Sequence, residues 1–283
     1  MQTIPSKDLV TFIATRLESI YDPREAMNIG REILRHFYQI DRLQLSMNEP
    51  VGFAKSEEEK VLQIIKRLLA KEPLQHIVGS IEFYGLEFKV DTRALIPRPE
   101  TEELVDWIIT NHPEPALKVL DIGTGTGCIP VALAKNLNTP SIAALDISKE
   151  ALALAHENAR LNEINIDFQQ LNVLEETLTE SYDLIVSNPP YIPEADKRLM
   201  SANVLDYEPD LALFVPDQEP LLFYDRIAML ASDSLTFGGT LYFEIHEAYG
   251  SAMIDLLTDK GFIHVELKQD LQGKDRMIKA VKP

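Results

Sequence analysis

The sequence predicts an α/β domain, built on a mostly parallel sheet with a terminal antiparallel hairpin, that follows a small N-terminal helical bundle. Two observations lead to this fold class. Apolar residues recur at helical spacing over the first seventy-odd residues, and from Leu117 onward short apolar strands alternate with helices. A chain of 283 residues is also the length expected of about two domains.

Three apolar stripes at helical spacing predict the bundle. Asp22 and Pro23 suit the cap and first position of the second helix. Ser56 and Glu59 have the spacing of a capping box at the start of the third. We therefore assign residues 1–76 to a helical N-terminal domain. The stripes are Leu9, Phe12, Ile13, Leu17 and Ile20; Ala26, Ile29, Ile33, Leu34 and Phe37; and Val61, Ile64, Ile65, Leu68 and Leu69.

A hairpin and a proline-rich stretch separate the bundle from the second domain. Apolar and polar residues alternate over residues 79–90, with Gly85 near the expected turn. Ile96-Pro97-Arg98-Pro99-Glu100-Thr101 comes next. We assign residues 77–96 to a hairpin linker and residues 97–283 to the second domain.

The second domain alternates between strands and helices. This order predicts a parallel sheet covered on both faces, with a ligand beyond the carboxyl ends of its strands. A helix is expected from Ser148, as its cap, to about Asn162, and others around Ile227 and Met253. The predicted strands are Lys118–Ile122, 142–146, 166–171, Tyr182–Ser187 and 239–245, with 262–269 and 277–281 as the closing hairpin.

Composition excludes several classes of protein. The 27 basic and 45 acidic residues give a formal net charge of −18, which disfavours stable binding to nucleic acid. The single cysteine, Cys128, forms no intramolecular disulfide and fits a reducing cytoplasm. Neither a signal peptide nor a membrane span is predicted. The six scattered histidines do not have the spacing of a metal site.

The first group of candidate site residues is a glycine loop after the first strand of the sheet. Asp121 precedes Gly123, Thr124, Gly125, Thr126 and Gly127. Glycines allow a tight turn and let a ligand lie against bare backbone. A dinucleotide fingerprint has its third glycine one position later, where this chain has Cys128. The loop therefore favours a ligand without a pyrophosphate, although a purely structural turn remains an alternative.

Asp146 is the second candidate, at the end of the next strand. It lies roughly 20 residues beyond the loop, where an acidic side chain holds ribose hydroxyls. Alone, Asp146 is equally explained as a helix cap or a surface charge. Together with the loop, it predicts nucleoside binding.

The third group is Asn188-Pro189-Pro190-Tyr191, directly after the strand Tyr182–Ser187. The prolines stiffen the backbone and have no N–H, so around Pro189 the main chain offers only carbonyl acceptors. With the Asn188 side-chain oxygen, two fixed acceptors can hold one NH₂ group. Tyr191 offers a flat face for a planar substrate.

Two fixed acceptors suit the methylation of an amide or amino nitrogen. The lone pair of such a nitrogen is delocalised, whereas a methyl group on a sulfonium is already activated. Holding both N–H bonds orients the nitrogen and stabilises the charge that develops on it. Neither a metal nor a strong base is required.

These motifs resemble the peptide chain release factor N5-glutamine methyltransferases, the HemK/PrmC family. The glycine loop with Asn-Pro-Pro-Tyr is shared with adenine-N6 methyltransferases of DNA. Other segments along the whole chain separate the two families. They are Pro73-Leu74-Gln75-His76-Ile77, Glu82-Phe83-Tyr84, Leu95 to Glu102, Tyr207-Glu208-Pro209 with Ala212-Leu213, and the closing Asp270 to Arg276 hairpin.

The resemblance implies a Rossmann-like class I methyltransferase fold and a substrate-recruiting N-terminal bundle. It implies S-adenosylmethionine as cofactor and, as substrate, the glutamine in the Gly-Gly-Gln motif of class 1 release factors. The cofactor residues would be Asp121, Gly123 to Gly127, Asp146, Asn172, Val173 and Asn188. The substrate residues would be Asn188 to Tyr191, with Asn188, Pro189 and Tyr191 catalytic. Some family members have Asp-Trp where this chain has Asn172-Val173, so adenine is expected to lack an aromatic stacking surface here.

Three alternatives remain open from the sequence. A glutamine methyltransferase acting on a ribosomal protein would share the core and differ in recruitment by the bundle. An adenine-N6 methyltransferase would use the same acceptors on a flipped base, but the acidic charge opposes it. A binding module without catalysis would retain the fold, and the intact Asn188, Pro189 and Tyr191 argue against it.

Overall fold

The computed structural model describes residues 3–283, except for the side chains of Leu199 and Ala202. Contacts divide the chain into two compact units. The first unit runs to Gly79 and includes Ser201–Tyr207, and the second comprises Ser80–Met200 and Glu208–Pro283. The hairpin that we assigned to a linker therefore groups with the second unit.

Helices and strands make up most of both units. The helices, in chain order, are α1 Ser6–Leu17, α2 Pro23–Tyr38, α3 Arg42–Ser46, α4 Lys55–Leu69, α5 Leu74–Val78, α6 Pro99–Asn111, α7 Cys128–Asn136, α8 Lys149–Leu161, α9 Ala202–Leu205, α10 Leu222–Ser234 and α11 Gly250–Asp259. The strands are β1 Thr3–Pro5, β2 Pro50–Gly52, β3 Ser80–Phe83, β4 Leu86–Lys89, β5 Lys118–Ile122, β6 Ser141–Asp146, β7 Asp167–Gln170, β8 Tyr182–Ser187, β9 Ile192–Pro193, β10 Phe214–Val215, β11 Leu235–Glu244, β12 Ile263–Gln269 and β13 Asp275–Val281.

The first unit is the predicted helical bundle, with the antiparallel pair β1–β2 added to it. Its fully buried side chains come from all three predicted stripes and include Leu9, Ile33 and Leu68. The residues at the stripe ends were predicted wrongly, because Ile20, Phe37 and Leu69 are exposed.

Of the two helix caps predicted in this unit, Asp22 is confirmed and Ser56 is wrong. The Asp22 carboxylate accepts hydrogen bonds from the backbone N–H groups of Arg24 and Glu25, as a cap before Pro23 should. Ser56 was the wrong cap for α4. That helix begins at Lys55, two residues earlier than a Ser56 cap predicts, and Ala54 occupies the cap without a side-chain hydrogen bond.

The second unit contains a seven-stranded sheet in the order β12-β13-β11-β8-β5-β6-β7, counted over the described residues. The strands from β11 to β7 in this order are parallel, whereas β13 is antiparallel to both β11 and β12. This is the predicted class of fold. The edge strands are β7 and β12, and the register of β12 against β13 shifts at two places.

Both faces of the sheet are covered, as alternating residues along its strands show. Val119, Leu184 and Tyr242 belong to a core cluster shared with α6 and α7. Their neighbours on the same strands, such as Leu120 and Ile185, belong to a second cluster shared with α10 and α11. Neighbouring residues on a strand point to opposite faces, so the strands pack against helices on both sides.

Strand β5 lies at the point where the order of the sheet reverses. The chain passes from β5 to β6 on one side, and β8 pairs with β5 on the other. Ligands of open α/β sheets bind in the crevice at such a point, outside the carboxyl ends of the strands.

The hairpin β3–β4 has the predicted turn, in which Tyr84 and Gly85 have φ values of 50° and 73°. Two successive positive φ angles are typical of the tight turn that matches the twist of a two-residue hairpin. Helix α6, in contrast, was not predicted, because we interpreted the proline-rich stretch at its start only as a separation between the two domains. Pro99 at its first position and Glu100 and Glu102 in its first turn are ordinary helix-start signals.

The described residues also bear on membrane spans and metal binding. No helix in them combines the length and apolar character needed to cross a bilayer. No group of three or more histidine, cysteine, aspartate or glutamate side chains among them is arranged to hold a metal ion.

Candidate active site

The candidate site lies where β5, β6 and β8 end side by side. Ile122 at the end of β5 pairs with Leu145 of β6 and with Ser187 of β8. The buried Ser187 hydroxyl donates a 2.6 Å hydrogen bond to the Ile122 carbonyl oxygen, which ties the two strand ends together. The segments that follow β5, β6 and β8 therefore all surround one crevice.

The glycine loop needs its glycines for backbone conformation. Gly123, Gly125 and Gly127 have φ values of 76°, 53° and 79°, which side chains other than glycine adopt only with strain. The N–H groups of Gly123 and Thr124 both donate to the Leu145 carbonyl oxygen, at 2.8 and 2.9 Å. These two N–H groups hold the loop over the end of β6 instead of pointing at a ligand.

Close packing explains the third glycine. A Cβ atom on Gly127 would lie 3.0 Å from the Cβ of Ala155 in α8. Asn158, one turn further along α8, donates to the Thr126 carbonyl oxygen at 2.9 Å and to the Lys89 carbonyl oxygen at 3.0 Å. Its side-chain oxygen accepts from the Lys89 N–H at 2.7 Å. Helix α8 thus supports the loop and joins it to the hairpin.

Asp146 is placed by two backbone hydrogen bonds. Its Oδ2 accepts from the Gly125 N–H at 2.8 Å, and its Oδ1 accepts from the Ser148 N–H at 2.9 Å. Each carboxylate oxygen has a second lone pair for a ligand hydroxyl. Burial raises the pKa of Asp146 above its ordinary value, and these backbone hydrogen bonds oppose the rise.

Asp121 is a fully buried acid, with 0% of its surface exposed. Neither carboxylate oxygen has a hydrogen-bond partner of good geometry among the described residues, and neither does the nearby Thr124 hydroxyl. Burial raises the pKa of Asp121 to about 7, although the proximity of Thr124 lowers it in part. A buried carboxylate without partners is a costly arrangement that a cationic ligand would relieve.

The Asn-Pro-Pro-Tyr segment follows β8 directly, and Asn188, Pro189 and Pro190 line the crevice. Tyr191 is oriented differently. Its hydroxyl donates to Oε1 of Glu244 at 3.1 Å, and its ring meets His246 edge to face at 6.0 Å between centroids. The stacking role that we predicted for its ring stays a prediction.

Glu244 and Thr101 connect to this segment from elsewhere in the unit. The Thr101 hydroxyl in the first turn of α6 donates to Oε2 of Glu244 at 2.6 Å. The Asn188 side-chain NH₂ group contacts the same hydroxyl at 3.4 Å. Glu244 ends β11 with only 1% of its surface exposed, and burial raises its pKa.

Asn172 and Val173 lie in the loop after β7, on the same crevice. The side-chain oxygen of Asn172 already accepts a hydrogen bond from the Leu174 N–H at 3.1 Å. The Asn172 side chain is therefore better placed to donate a hydrogen bond to a ligand, through its NH₂ group, than to accept one. The Val173 carbonyl oxygen accepts from Arg226 at 2.8 Å, which anchors this loop to α10.

The crevice has a volume of about 240 Å³. Arg98 also lines it and forms a 2.6 Å ion pair with Glu208, whose side chain is 1% exposed. Cys128 contributes to the lining as well, and burial raises the pKa of its thiol to about 12, so it is a packing residue and not a thiolate. Further apolar lining comes from Ile147, Leu171, Leu211, Phe223 and Ile227.

Most of the predicted site residues meet on this crevice. Asp121, Gly127 and Tyr191 do not lie on the lining, although each is in or next to a segment that does. Thr101 and Glu244 were missed, because Thr101 was noted only as part of the segment Leu95 to Glu102 and Glu244 belongs to no motif. The lining residues among those predicted are Gly123, Thr124, Gly125, Thr126, Asp146, Asn172, Val173, Asn188, Pro189 and Pro190.

Two protein-family models match the chain. Residues 8–79 match the PrmC N-terminal domain. Residues 100–205 match the methyltransferase small domain, which includes the glycine loop, Asp146 and Asn188.

Relatives of similar length match almost the whole chain. The release factor glutamine methyltransferase of Flavobacterium psychrophilum is 44% identical, over 96% of this chain and 98% of its own. The enzyme of the same name from Bacteroides thetaiotaomicron is 43% identical, over 96% and 98%. That from Lactococcus lactis is 44% identical, over 94% and 97%.

Solved structures agree on the fold. A methyltransferase from Pyrococcus furiosus superimposes with a TM-score of 0.54 at 15% identity, over 81% of this chain and 99% of that one. The Thermus thermophilus 16S rRNA N2 G1207 methyltransferase, solved with AdoMet and guanosine, gives 0.51 at 19% identity, over 72% and 50%. At these identities the likeness concerns the fold alone.

Fold, crevice and family models together define a class I methyltransferase. Within this class, identity above 40% over nearly the full length of several relatives decides the family. The chain belongs to the release factor glutamine methyltransferases.

Proposed function

We propose that this protein transfers a methyl group from S-adenosylmethionine to the side-chain amide nitrogen of the glutamine in the Gly-Gly-Gln motif of class 1 release factors. One observation carries the proposal. Asn188, Pro189 and Pro190 line the same crevice as the glycine loop and Asp146, so an amide acceptor site and a nucleoside site adjoin.

The residues of the crevice fit this cofactor. Asp121, a buried carboxylate without partners, matches a cationic amino-acid group close to the loop. Asp146 retains lone pairs for ribose hydroxyls, and apolar Leu171 and Val173 suit the faces of a base. When bound, S-adenosylmethionine supplies a methyl group activated by its sulfonium.

The chain contributes orientation and electrostatic stabilisation to the transfer. The Asn188 side-chain oxygen and a main-chain carbonyl at Pro189 would each accept one N–H of the substrate amide. Such a grip points the nitrogen at the methyl group and stabilises the positive charge that grows as the new bond forms. The rigid prolines fix both acceptors before the substrate arrives, so little reorganisation is needed.

We propose a recruiting role for the N-terminal unit, with residues 1–76 as the recruiting domain, 77–96 as a hairpin linker and 97–283 as the methyltransferase domain. The charge distribution supports a division of tasks. Residues 1–79 carry eleven basic and eleven acidic residues, so the whole formal charge of −18 lies beyond them. A near-neutral recruiting surface accepts a protein partner, whereas the acidic remainder repels nucleic acid.

Transfer of label from methyl-labelled S-adenosylmethionine to a purified class 1 release factor tests the proposed function. The control is the same factor with alanine in place of the Gly-Gly-Gln glutamine. We expect label in the native factor and none in the control. Equal labelling of both would refute the proposed site, and label only in ribosomal protein or nucleic acid would refute the proposed substrate.

A further inference from the structure

The side-chain amide of Asn188 can hold a substrate NH₂ group in only one of its two orientations. Only its oxygen is a hydrogen-bond acceptor, and its NH₂ group would repel the NH₂ group of a substrate. A half-turn of the amide exchanges the two groups without changing the shape of the side chain. Catalysis on an amide nitrogen therefore requires something that sets this orientation.

The neighbouring Thr101 hydroxyl has only one proton to give. The proton is committed to Oε2 of Glu244, at 2.6 Å, because a carboxylate is the stronger acceptor. Toward Asn188, the Thr101 oxygen can then only accept. The Asn188 atom beside it, at 3.4 Å, must be the NH₂ group, and this leaves the side-chain oxygen for the crevice.

Glu244 also holds Tyr191 of the Asn-Pro-Pro-Tyr segment in place. Its Oε1 accepts from the Tyr191 hydroxyl at 3.1 Å, while Oε2 accepts from Thr101. The Tyr224 hydroxyl donates to the backbone carbonyl oxygen of Glu244 at 3.2 Å and fixes the end of β11. One buried carboxylate therefore connects to both Asn188 and Tyr191.

We propose that Thr101 and Glu244 are positioning residues, which set the Asn188 amide with its oxygen toward the substrate nitrogen and hold Tyr191 in place. This inference rests on the proposed function, because it names the device that orients the acceptor of that site. Thr101 also lines the crevice, whereas Glu244 does not. Both act through the Asn-Pro-Pro-Tyr segment.

Replacement of Glu244 by glutamine removes the negative charge of the side chain and nearly keeps its shape. The carboxylate accepts from two hydroxyls, but a glutamine side chain has one acceptor oxygen and one NH₂ group. If that NH₂ group faces Thr101, the Thr101 proton turns toward Asn188 and favours the opposite amide orientation. If the NH₂ group faces Tyr191 instead, the Tyr191 hydroxyl loses its acceptor. In either orientation Glu244→Gln disturbs the Asn-Pro-Pro-Tyr segment while keeping the volume of the side chain.

The test compares Thr101→Val, Thr101→Ser and Glu244→Gln with the intact protein. Thr240→Val is the matched control, since it removes a buried threonine hydroxyl from the same strand as Glu244, outside the crevice lining. We expect Thr101→Val and Glu244→Gln to lower kcat by about tenfold or more, in the range of a lost positioning contact. Thr101→Ser should stay within about threefold of the intact protein, and all variants should bind S-adenosylhomocysteine within about threefold.

A second readout needs no substrate. The side-chain amide resonances of Asn188 in a ¹⁵N spectrum are assigned by their loss in Asn188→Ala. They should shift in Thr101→Val and Glu244→Gln and stay in place in Thr240→Val. This readout holds even if the release factor proves not to be the substrate, so failure of the two proposals can be distinguished.

Two results would overturn the positioning role. One is an unchanged kcat with unshifted Asn188 resonances in both Thr101→Val and Glu244→Gln. The other is a loss of activity in Thr101→Ser as large as in Thr101→Val, with cofactor binding and thermal stability falling in parallel, which would indicate a purely structural role. If Thr101→Val fails to fold, kcat and the Asn188 resonances of Glu244→Gln are compared with those of the intact protein instead.

Discussion

The backbone N–H of Gly125 donates a 2.8 Å hydrogen bond to Oδ2 of Asp146, so the acid proposed to hold the ribose also fixes the glycine loop. Two parts of the proposed cofactor site thus depend on one carboxylate. Loss of that carboxylate should affect cofactor binding twice, through the ribose contact and through the loop.

Asp146→Ala should weaken binding of S-adenosylmethionine by at least about tenfold, which corresponds to about 1.4 kcal/mol. Isothermal titration calorimetry measures the affinity. The matched control is Asp167→Ala, an exposed aspartate at the start of β7, which should bind normally. An unchanged affinity in Asp146→Ala would exclude it from the cofactor site.

Asn188→Ala should reduce kcat by about 100-fold or more, the loss typical of removing one group that stabilises a transition state. Affinity for S-adenosylmethionine should remain within about tenfold, because most of the proposed cofactor contacts remain. Single-turnover methyl transfer with separate binding measurements distinguishes the two effects. Turnover at the level of the intact protein would refute the acceptor role.

Asp121→Asn should change the pH dependence of stability. Burial raises the pKa of Asp121 from 3.8 to about 7. Between these pH values the folded protein keeps a proton that the unfolded chain has lost, so the contribution of Asp121 to the free energy of unfolding falls as pH rises. Above pH 7 that contribution stays constant at its lowest value.

Thermal melts of Asp121→Asn and the intact protein, without ligand, check this dependence. The variant does not titrate at this position, so its advantage in stability should grow between pH 5 and pH 8, by an amount of the order of 2 kcal/mol. A difference in melting temperature that is the same at every pH would contradict the buried, unpaired state of Asp121.

The sequence predicted those parts of the fold and site that depend on local pattern. Strands β5 and β8 have the predicted bounds, since β5 is an apolar run that ends before Gly123 and β8 is one that ends before Asn188. The glycine loop and Asn188 are likewise local. Thr101 and Glu244 were not predicted, because Thr101 is 87 residues from Asn188 and Glu244 is 53 from Tyr191. Only the folded sheet brings these residues together, and no short motif encodes such contacts.

Asn158→Ala should destabilise the protein by about 2–4 kcal/mol. Removal of the amide takes away the partner of the buried Thr126 carbonyl oxygen and that of the part-buried Lys89 N–H. Asn162→Ala is the comparison just after the same helix. Its NH₂ group donates to the Glu87 carbonyl oxygen in an exposed hydrogen bond and to the Asn158 carbonyl oxygen in a part-buried one, so its loss should cost less than about 1 kcal/mol. Chemical unfolding measures both, and equal costs would contradict the anchoring role of Asn158.

Gly127→Ala and Gly123→Ala should separate folding from cofactor binding. An alanine at 127 meets Ala155 at 3.0 Å and also suffers from a φ of 79°, so we expect clear destabilisation. An alanine at 123 has nothing within 4 Å, so it should cost only the strain of its φ, about 1–2 kcal/mol. Since Gly123 lines the crevice, its variant should bind cofactor at least about fivefold more weakly. The reverse order of stabilities would contradict the packing of α8 against the loop.

The two edges of the sheet have a consequence for the behaviour of the protein at high concentration. An edge strand with regular, unpaired N–H and C=O groups is a template for aggregation with other chains. Strand β12 breaks that regularity with its two register shifts and a φ of 51° at His264, and it carries Glu266 and Lys268. Strand β7 is short and begins at exposed Asp167. These features oppose intermolecular strand pairing, so the folded sheet should resist fibril growth even in a concentrated solution.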